Sequence, residues 1–145
     1  VGLFIVVAGV EHTGLLNLLS DEIVERTQGD RSAISFAVLW VSALASAIVD
    51  NIPFVATMIP TLKSVIADLG MSEPDSMALW WSLALGACLG GNGSLVGASA
   101  NLIVAGFAER AGHRIKFMKF LIHAFPMMLM SIAICPVYIW LRFLR

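Results

Sequence analysis

Gly86-Ala87-Cys88-Leu89-Gly90-Gly91-Asn92-Gly93-Ser94-Leu95-Val96-Gly97-Ala98-Ser99-Ala100-Asn101 interrupts an apolar stretch over residues 76–108. At about 1.5 Å per residue, a straight helix of that length would reach near 50 Å. The hydrocarbon core of a bilayer is only about 30 Å thick. The stretch has to break, and the glycines at 90, 91, 93 and 97 favour non-helical backbone. The sequence therefore predicts a broken span over 76–108, interrupted at 90–98, with half-helices over 77–89 and 99–108. A broken helix frees carbonyl oxygens for cations and turns a positive half-helix N-terminus toward anions. Asn92, Gly93, Ser94, Ser99 and Asn101 are the candidate ligands, neutral groups suited to reversible binding. Close helix packing through small residues, with Gly93 and Gly97 four apart, is the other reading of the same glycines.

Upstream lies a second interruption. Residues 32–49 are apolar, Asp50-Asn51-Ile52-Pro53 is polar, and 54–69 is apolar again with Pro60 and Lys63 inside it. Both arms are short for a full crossing and the break between them is tight. A re-entrant hairpin over 32–69 with its tip at 50–53 is expected, and irregular backbone at that depth has to be buried in protein or line a wet cavity. A carboxylate there costs at least about 2.5 kcal/mol even on lenient insertion scales. Asp50 is therefore a candidate to hold Na⁺ or carry a proton, with Asn51 as a second Na⁺ ligand and Ser46 one turn before it. Asp-Asn ahead of Pro53 is also good helix-capping chemistry. Two polar breaks in neighbouring apolar segments form the sequence pointer to a transporter site near the bilayer midplane.

The flanks complete an all-α integral membrane reading. Residues 1–19 are long enough to span, and carry Glu11 and His12 near their end. Residues 20–31 read as an interfacial helix, 109–119 as a loop and 120–143 as a last span kinked at Pro126 and Pro136. The loop holds Arg110, Arg114, Lys116 and Lys119, whereas the 70–75 turn holds no Lys or Arg. The positive-inside rule makes the loop cytoplasmic and the turn external. A multi-pass protein of the cell (plasma) membrane is expected. Because the apolar run is already under way at Val1, the chain is expected to be the C-terminal part of a longer permease whose N-terminal half is missing.

Composition agrees. Of 145 residues, 59% are hydrophobic and 13% charged, and the mean hydropathy is +0.88. Soluble chains are about one quarter charged, so the bilayer is the expected surrounding. No basic stripe with interleaved aromatics points to nucleic acid. Cys88 and Cys135 lie in apolar stretches with no zinc or disulfide spacing. His113 and His123 read as structural, and Lys63 as a snorkelling side chain. No cofactor is expected beyond Na⁺ or H⁺ as the coupling ion.

Two long motifs carry a family resemblance. Val41-Ser42-Ala43-Leu44-Ala45-Ser46-Ala47-Ile48-Val49-Asp50-Asn51-Ile52-Pro53-Phe54-Val55-Ala56-Thr57-Met58-Ile59-Pro60 and the 86–101 stretch resemble signatures of the ion transporter superfamily. That group includes arsenite permeases, NhaD-type Na⁺/H⁺ antiporters, the P-protein branch and Na⁺-coupled citrate and dicarboxylate symporters. The P-protein branch is the most similar. The resemblance implies two inverted repeats in a homodimer, each with a re-entrant hairpin and a broken helix. This chain resembles the second repeat, and elevator-type motion is implied with it. Where dicarboxylate members carry Ser-Asn-Thr at the hairpin tip, this sequence has Asp50, Asn51 and Ile52. Ser99-Ala100-Asn101 stands where those members carry Thr-Pro-Pro-Asn. The fixed charge of Asp50 disfavours a carboxylate substrate and favours a cation or proton.

The expected function is ion-coupled secondary transport of an inorganic ion, by Na⁺/H⁺-like exchange or as arsenite or anion transport. A Na⁺-coupled citrate or dicarboxylate symporter is the alternative. An intramembrane serine protease is a remote reading of Gly97-Ala98-Ser99-Ala100 with His113 or His123, and lacks the glycine usual after the serine. A structural membrane subunit would leave Asp50 and Asn92 exposed and far apart. An enzyme is not expected.

Overall fold

The structure is a computed structural model describing Glu25 and residues 30–145. The expected span over 1–19, with Glu11 and His12, lies outside the described residues, as does most of the interfacial segment 20–31. The last two residues of that segment open the first described helix. Asp30 is the N-cap of α1 (Arg31–Ser46), and its carboxylate accepts from the Ser32 amide at 3.0 Å. Ile34, Val38, Ser42 and Ser46, four apart, form one buried stripe with Ser35, Leu39 and Ala43.

Regular helix stops at Ser46, and Asp50 is extended (φ −52°, ψ 136°) before α2 (Asn51–Asp68) begins. Pro53 sits in the first turn of α2, where no intrahelical donor is lost. Pro60 lies inside the helix, between Thr57 and Thr61, whose hydroxyls donate to the carbonyls of Phe54 (2.7 Å) and Thr57 (3.3 Å). Gly70, at φ +58°, ends α2 with the Met71 amide donating back to the Ile66 carbonyl at 3.0 Å.

α3 (Glu73–Gly90) starts earlier than the 77–89 half-helix read from the sequence. Ser72, Glu73, Pro74 and Asp75 looked like turn residues, but they are also helix-start chemistry, with acids at the positive end and proline in the first turn. The chain then makes a 3-10 turn (Gly91–Gly93) and runs irregularly to Ala98. It resumes as α4 (Ser99–Arg110). Gly112, at φ +84°, closes α4 as the His113 amide reaches the Ala108 carbonyl at 2.8 Å. α5 (Phe117–Ile139) begins within the segment read as loop, and ends in a π-type turn (Trp140–Leu144). No strand occurs among the described residues.

Two apolar clusters hold the helices together. Ile34 and Val38 of α1, Met58, Leu62 and Val65 of α2, and Leu79 and Leu83 of α3 make one. Leu39 and Ala43 of α1 with Ala47 just beyond it, Ala78 of α3, and Met128, Ile132, Cys135 and Ile139 of α5 make the other. α3 is the central helix: α1 packs along it, and α2 and α5 lie mainly against it. Glycines set that closeness: a Cβ on Gly86 would lie 2.5 Å from the Leu39 carbonyl oxygen, and one on Gly90 would lie 2.6 Å from Ala43 Cα. Close helix packing through small residues therefore falls on Gly86 and Gly90.

Arg31 pairs with Asp75 at 2.6 Å, so the starts of α1 and α3 share one end of the bundle. The end of α1, the start of α2 and the break after α3 share the other. The helix continuing through Phe117–Leu144 is long and apolar enough to cross a membrane, the one such helix among the described residues.

Candidate functional site

The two polar interruptions meet. The carboxylate of Asp50 serves two helices through its two oxygens. Oδ1 accepts from the Ile52 amide in the first turn of α2 at 3.1 Å. Oδ2 accepts from the Ser99 amide at the first residue of α4 at 3.0 Å, and from the Ser99 hydroxyl as well. Each helix start carries roughly half a positive charge from its aligned peptide dipoles. One carboxylate thus serves two helix starts, reaching from Asp50 to Ser99 across 49 positions of sequence.

Serines lock the surrounding backbone. Ser46 is fully buried, and its hydroxyl donates to the Ala87 carbonyl at 2.7 Å, tying the end of α1 to α3. Ser94, also buried, donates to the Ala47 carbonyl and accepts from the amides of Val96 (3.2 Å) and Gly97 (3.0 Å). The side-chain amide of Asn101 donates to the carbonyls of Gly91 (3.1 Å) and Ser94 (2.9 Å). Gly97 allows the crossing, since a Cβ there would lie 2.7 Å from the Ser46 carbonyl oxygen and 2.8 Å from that of Gly91. Unravelled backbone in an apolar setting has to be satisfied by side chains, and these residues do that work.

The structure therefore gathers Ser46, Asp50, Ser94, Ser99 and Asn101 at one junction. Asn51 is half-buried at the first position of α2, and Gly93 is buried against Met128 and Ala47. Asn92 goes elsewhere: it is exposed and lines a shallow groove with Leu89, Ala124, Met127, Met128 and Ser131. The junction is not enclosed within this chain. Asp50 is half-buried and Ser99 exposed, so the described residues form one wall of a site. Sequence reading passed over Ala47 and Ala87, which contribute only carbonyl oxygens and so leave no signal in residue type. Among the described residues no group of three or more His, Cys, Asp or Glu side chains converges. His113 and His123 are both exposed, and Cys88 is exposed while Cys135 is buried.

Among the described residues, an all-helical fold with one helix long and apolar enough to cross a membrane and two interrupted segments joined at Asp50 and Ser99 is consistent with a membrane transporter domain. The chain belongs to the CitMHS family, described as "Citrate transporter", whose profile matches residues 1–145. It is 43% identical over 142 residues to a protein of Mycobacterium tuberculosis named as an uncharacterized transporter, covering 98% of this chain and 33% of that protein. It is 48% identical over 130 residues to the P protein of Mus musculus, covering 90% of this chain and 15% of the relative. To the P protein of Homo sapiens it is 41% identical over 144 residues, 94% of this chain and 17% of the relative. The chain thus spans about a third or less of these relatives.

Proposed function

We propose that this chain carries the site-bearing repeat of a secondary active transporter that moves an inorganic ion coupled to Na⁺ or H⁺. In this reading 32–69 is a re-entrant hairpin, 76–108 a broken span, and the chain the second of two inverted repeats. The first repeat supplies the open side of the junction, a second copy completes a homodimer, and the hairpin-bearing part moves as an elevator. The multi-pass protein resides in the cell membrane.

One observation carries the proposal: the Asp50 carboxylate joins the first turns of α2 and α4. An anion held by two helix starts can exchange those donors for a cation or take up a proton. Either event loosens the link between tip and break, which couples binding to movement of the two segments. Asp50 and Asn51 would furnish Na⁺ ligands, together with backbone carbonyls beside the junction. The family description favours a second reading, citrate symport. A substrate carboxylate would meet the fixed charge of Asp50 at the helix ends it needs, so the inorganic ion is the better fit.

The test is Asp50→Asn in the full-length polypeptide reconstituted in vesicles. Coupled ion flux is expected to fall well below that of the unmodified protein while staying measurable above empty vesicles, with citrate uptake absent in both forms. Undiminished coupled flux in the variant contradicts the role of Asp50, and robust citrate uptake by the unmodified protein transfers support to the symporter reading.

A further inference from the structure

The hydrogen bonds at the junction divide the bundle into parts that are fastened twice and one part that is not. The break is fixed to the end of α1 without help from Asp50. Ser94 donates to the Ala47 carbonyl, and Ser46 donates to the Ala87 carbonyl at 2.7 Å. α4 is fixed to the break in turn, through the Asn101 amide on the Gly91 and Ser94 carbonyls at 3.1 and 2.9 Å. At the far end, the Arg31–Asp75 pair ties α1 to α3 at 2.6 Å. If the Asp50 carboxylate lets go of Ser99, all of these bonds remain. Among the described residues, the bond between Asp50 and Ser99 is what holds the start of α2 to the start of α4.

α2 is itself built in two halves. Met58, Leu62 and Val65 are at most 5% exposed and sealed into the cluster with α1 and α3. Before Met58, Pro53 alone is buried, Ile52 is 63% exposed, and Phe54 and Val55 are only partly buried against that cluster. Between the halves comes Pro60. It has no amide hydrogen, so the Ala56 carbonyl loses its helical donor and the turn over 56–60 is where the helix bends most easily. Thr57 does not close that gap, since its hydroxyl donates to the Phe54 carbonyl at 2.7 Å. We infer that residues 51–56 are a gate leaf, hinged over 56–60 and latched to α4 by the bond between Asp50 and Ser99. The leaf swings when the latch opens, while α1, α3, the break and α4 stay together. The transport reading enters only in what opens the latch, an ion or proton taken up by Asp50. From Asn51 to Met58 is about 10 Å at 1.5 Å per residue, so a change of about 20° at the hinge moves the tip by about 4 Å.

The experiment measures distances between spin labels by double electron–electron resonance, in the full-length polypeptide with its other cysteines replaced. One pair joins the leaf to α4 (Ile52→Cys with Phe107→Cys). A second joins α1 to α4 (Trp40→Cys with Phe107→Cys), and a third joins the sealed half of α2 to α4 (Ala67→Cys with Phe107→Cys). All four positions are exposed. Asp50→Ser cuts the latch, because its single short hydroxyl is taken up in capping α2, so the cap is kept. It is expected to move the first pair by about 4 Å and to leave the other two in place. Adding Pro60→Ala, which restores the missing amide, should remove most of that shift. A first pair that stays put in Asp50→Ser overturns the inference, and so does a shift that survives Pro60→Ala. Movement of the second pair overturns it as well, because α4 would then have parted from α1. The distances are read without flux. Fixed distances with flux lost in Asp50→Asn would sink the gate and keep the transport reading, and a moving leaf with undiminished flux would do the reverse.

Discussion

At the scale of single residues, the account turns on which groups satisfy an interrupted backbone. Asp50 accepts from two helix starts, and Asn101 donates to two carbonyls in the break. These roles predict different penalties. Asp50→Ala removes a cap from α2 and the partner of Ser99, and should lower stability by about 1–2 kcal/mol. Asp50→Asn keeps an acceptor for one helix and should cost less. Asn101→Ala leaves the Gly91 and Ser94 carbonyls unpaired in a half-buried place, at a cost of about 1–3 kcal/mol. Thermal melting of the purified variants in one detergent ranks the three. Asn101→Ala melting with the unmodified protein would show that the break does not rely on its amide. Asp50, Ser94 and Asn101 were legible in the sequence because a polar side chain inside an apolar stretch is costly and has to be matched. Asn92 shares that stretch and the same logic applies to it, yet it lines the groove beside Met127 and Ser131. Composition cannot tell which way a side chain leaves an irregular turn. The carbonyls of Ala47 and Ala87 were illegible for a simpler reason, that every residue has one.

At the scale of elements, the break after α3 could be read from length against bilayer thickness, and the start of α3 could not. Glu73, Pro74 and Asp75 fit a turn and a first helical turn equally well. In the structure they form the first helical turn, where the Ser72 hydroxyl donates to Asp75 at 2.7 Å and Arg31 reaches Asp75 from α1, 44 positions away. The glycines divide in the same manner. Gly90 lies against Ala43, whereas a Cβ on Gly106 would meet nothing within 4 Å. Gly90→Ala should therefore push α1 and α3 apart and destabilise by about 1–3 kcal/mol. Gly106→Ala, in the exposed interior of α4, should be neutral or stabilising by up to about 1 kcal/mol. Melting temperatures that move together in the two variants would contradict the packing described between α1 and α3.

At the scale of the whole molecule, the bundle has two unlike ends. One holds the starts of α1 and α3, joined by the Arg31–Asp75 pair, and the other holds the Asp50–Ser99 junction. The all-helical, membrane-embedded class was legible from hydropathy and from the two motifs, and the family match agrees with it. The share of the bundle that crosses the bilayer was less so, because short arms and broken helices fall below the length of a full span. The re-entrant reading makes a topological prediction. Single cysteines at Ser32 and Ser72 should be labelled from one side of the membrane, and a cysteine at His113 from the other. Labelling of positions 32 and 72 from opposite sides would mean that α1 and α2 are not a re-entrant pair.

The junction itself is tested most directly by a double-mutant cycle on ion-coupled flux in reconstituted vesicles. The variants are Asp50→Asn, Ser99→Ala and the two combined, each normalised to the amount inserted. Because Ser99 acts here through its bonds to Asp50, the combined variant should be no slower than Asp50→Asn alone. Losses that simply multiply, or flux at the level of the unmodified protein in Asp50→Asn, would contradict the link between the tip and the break.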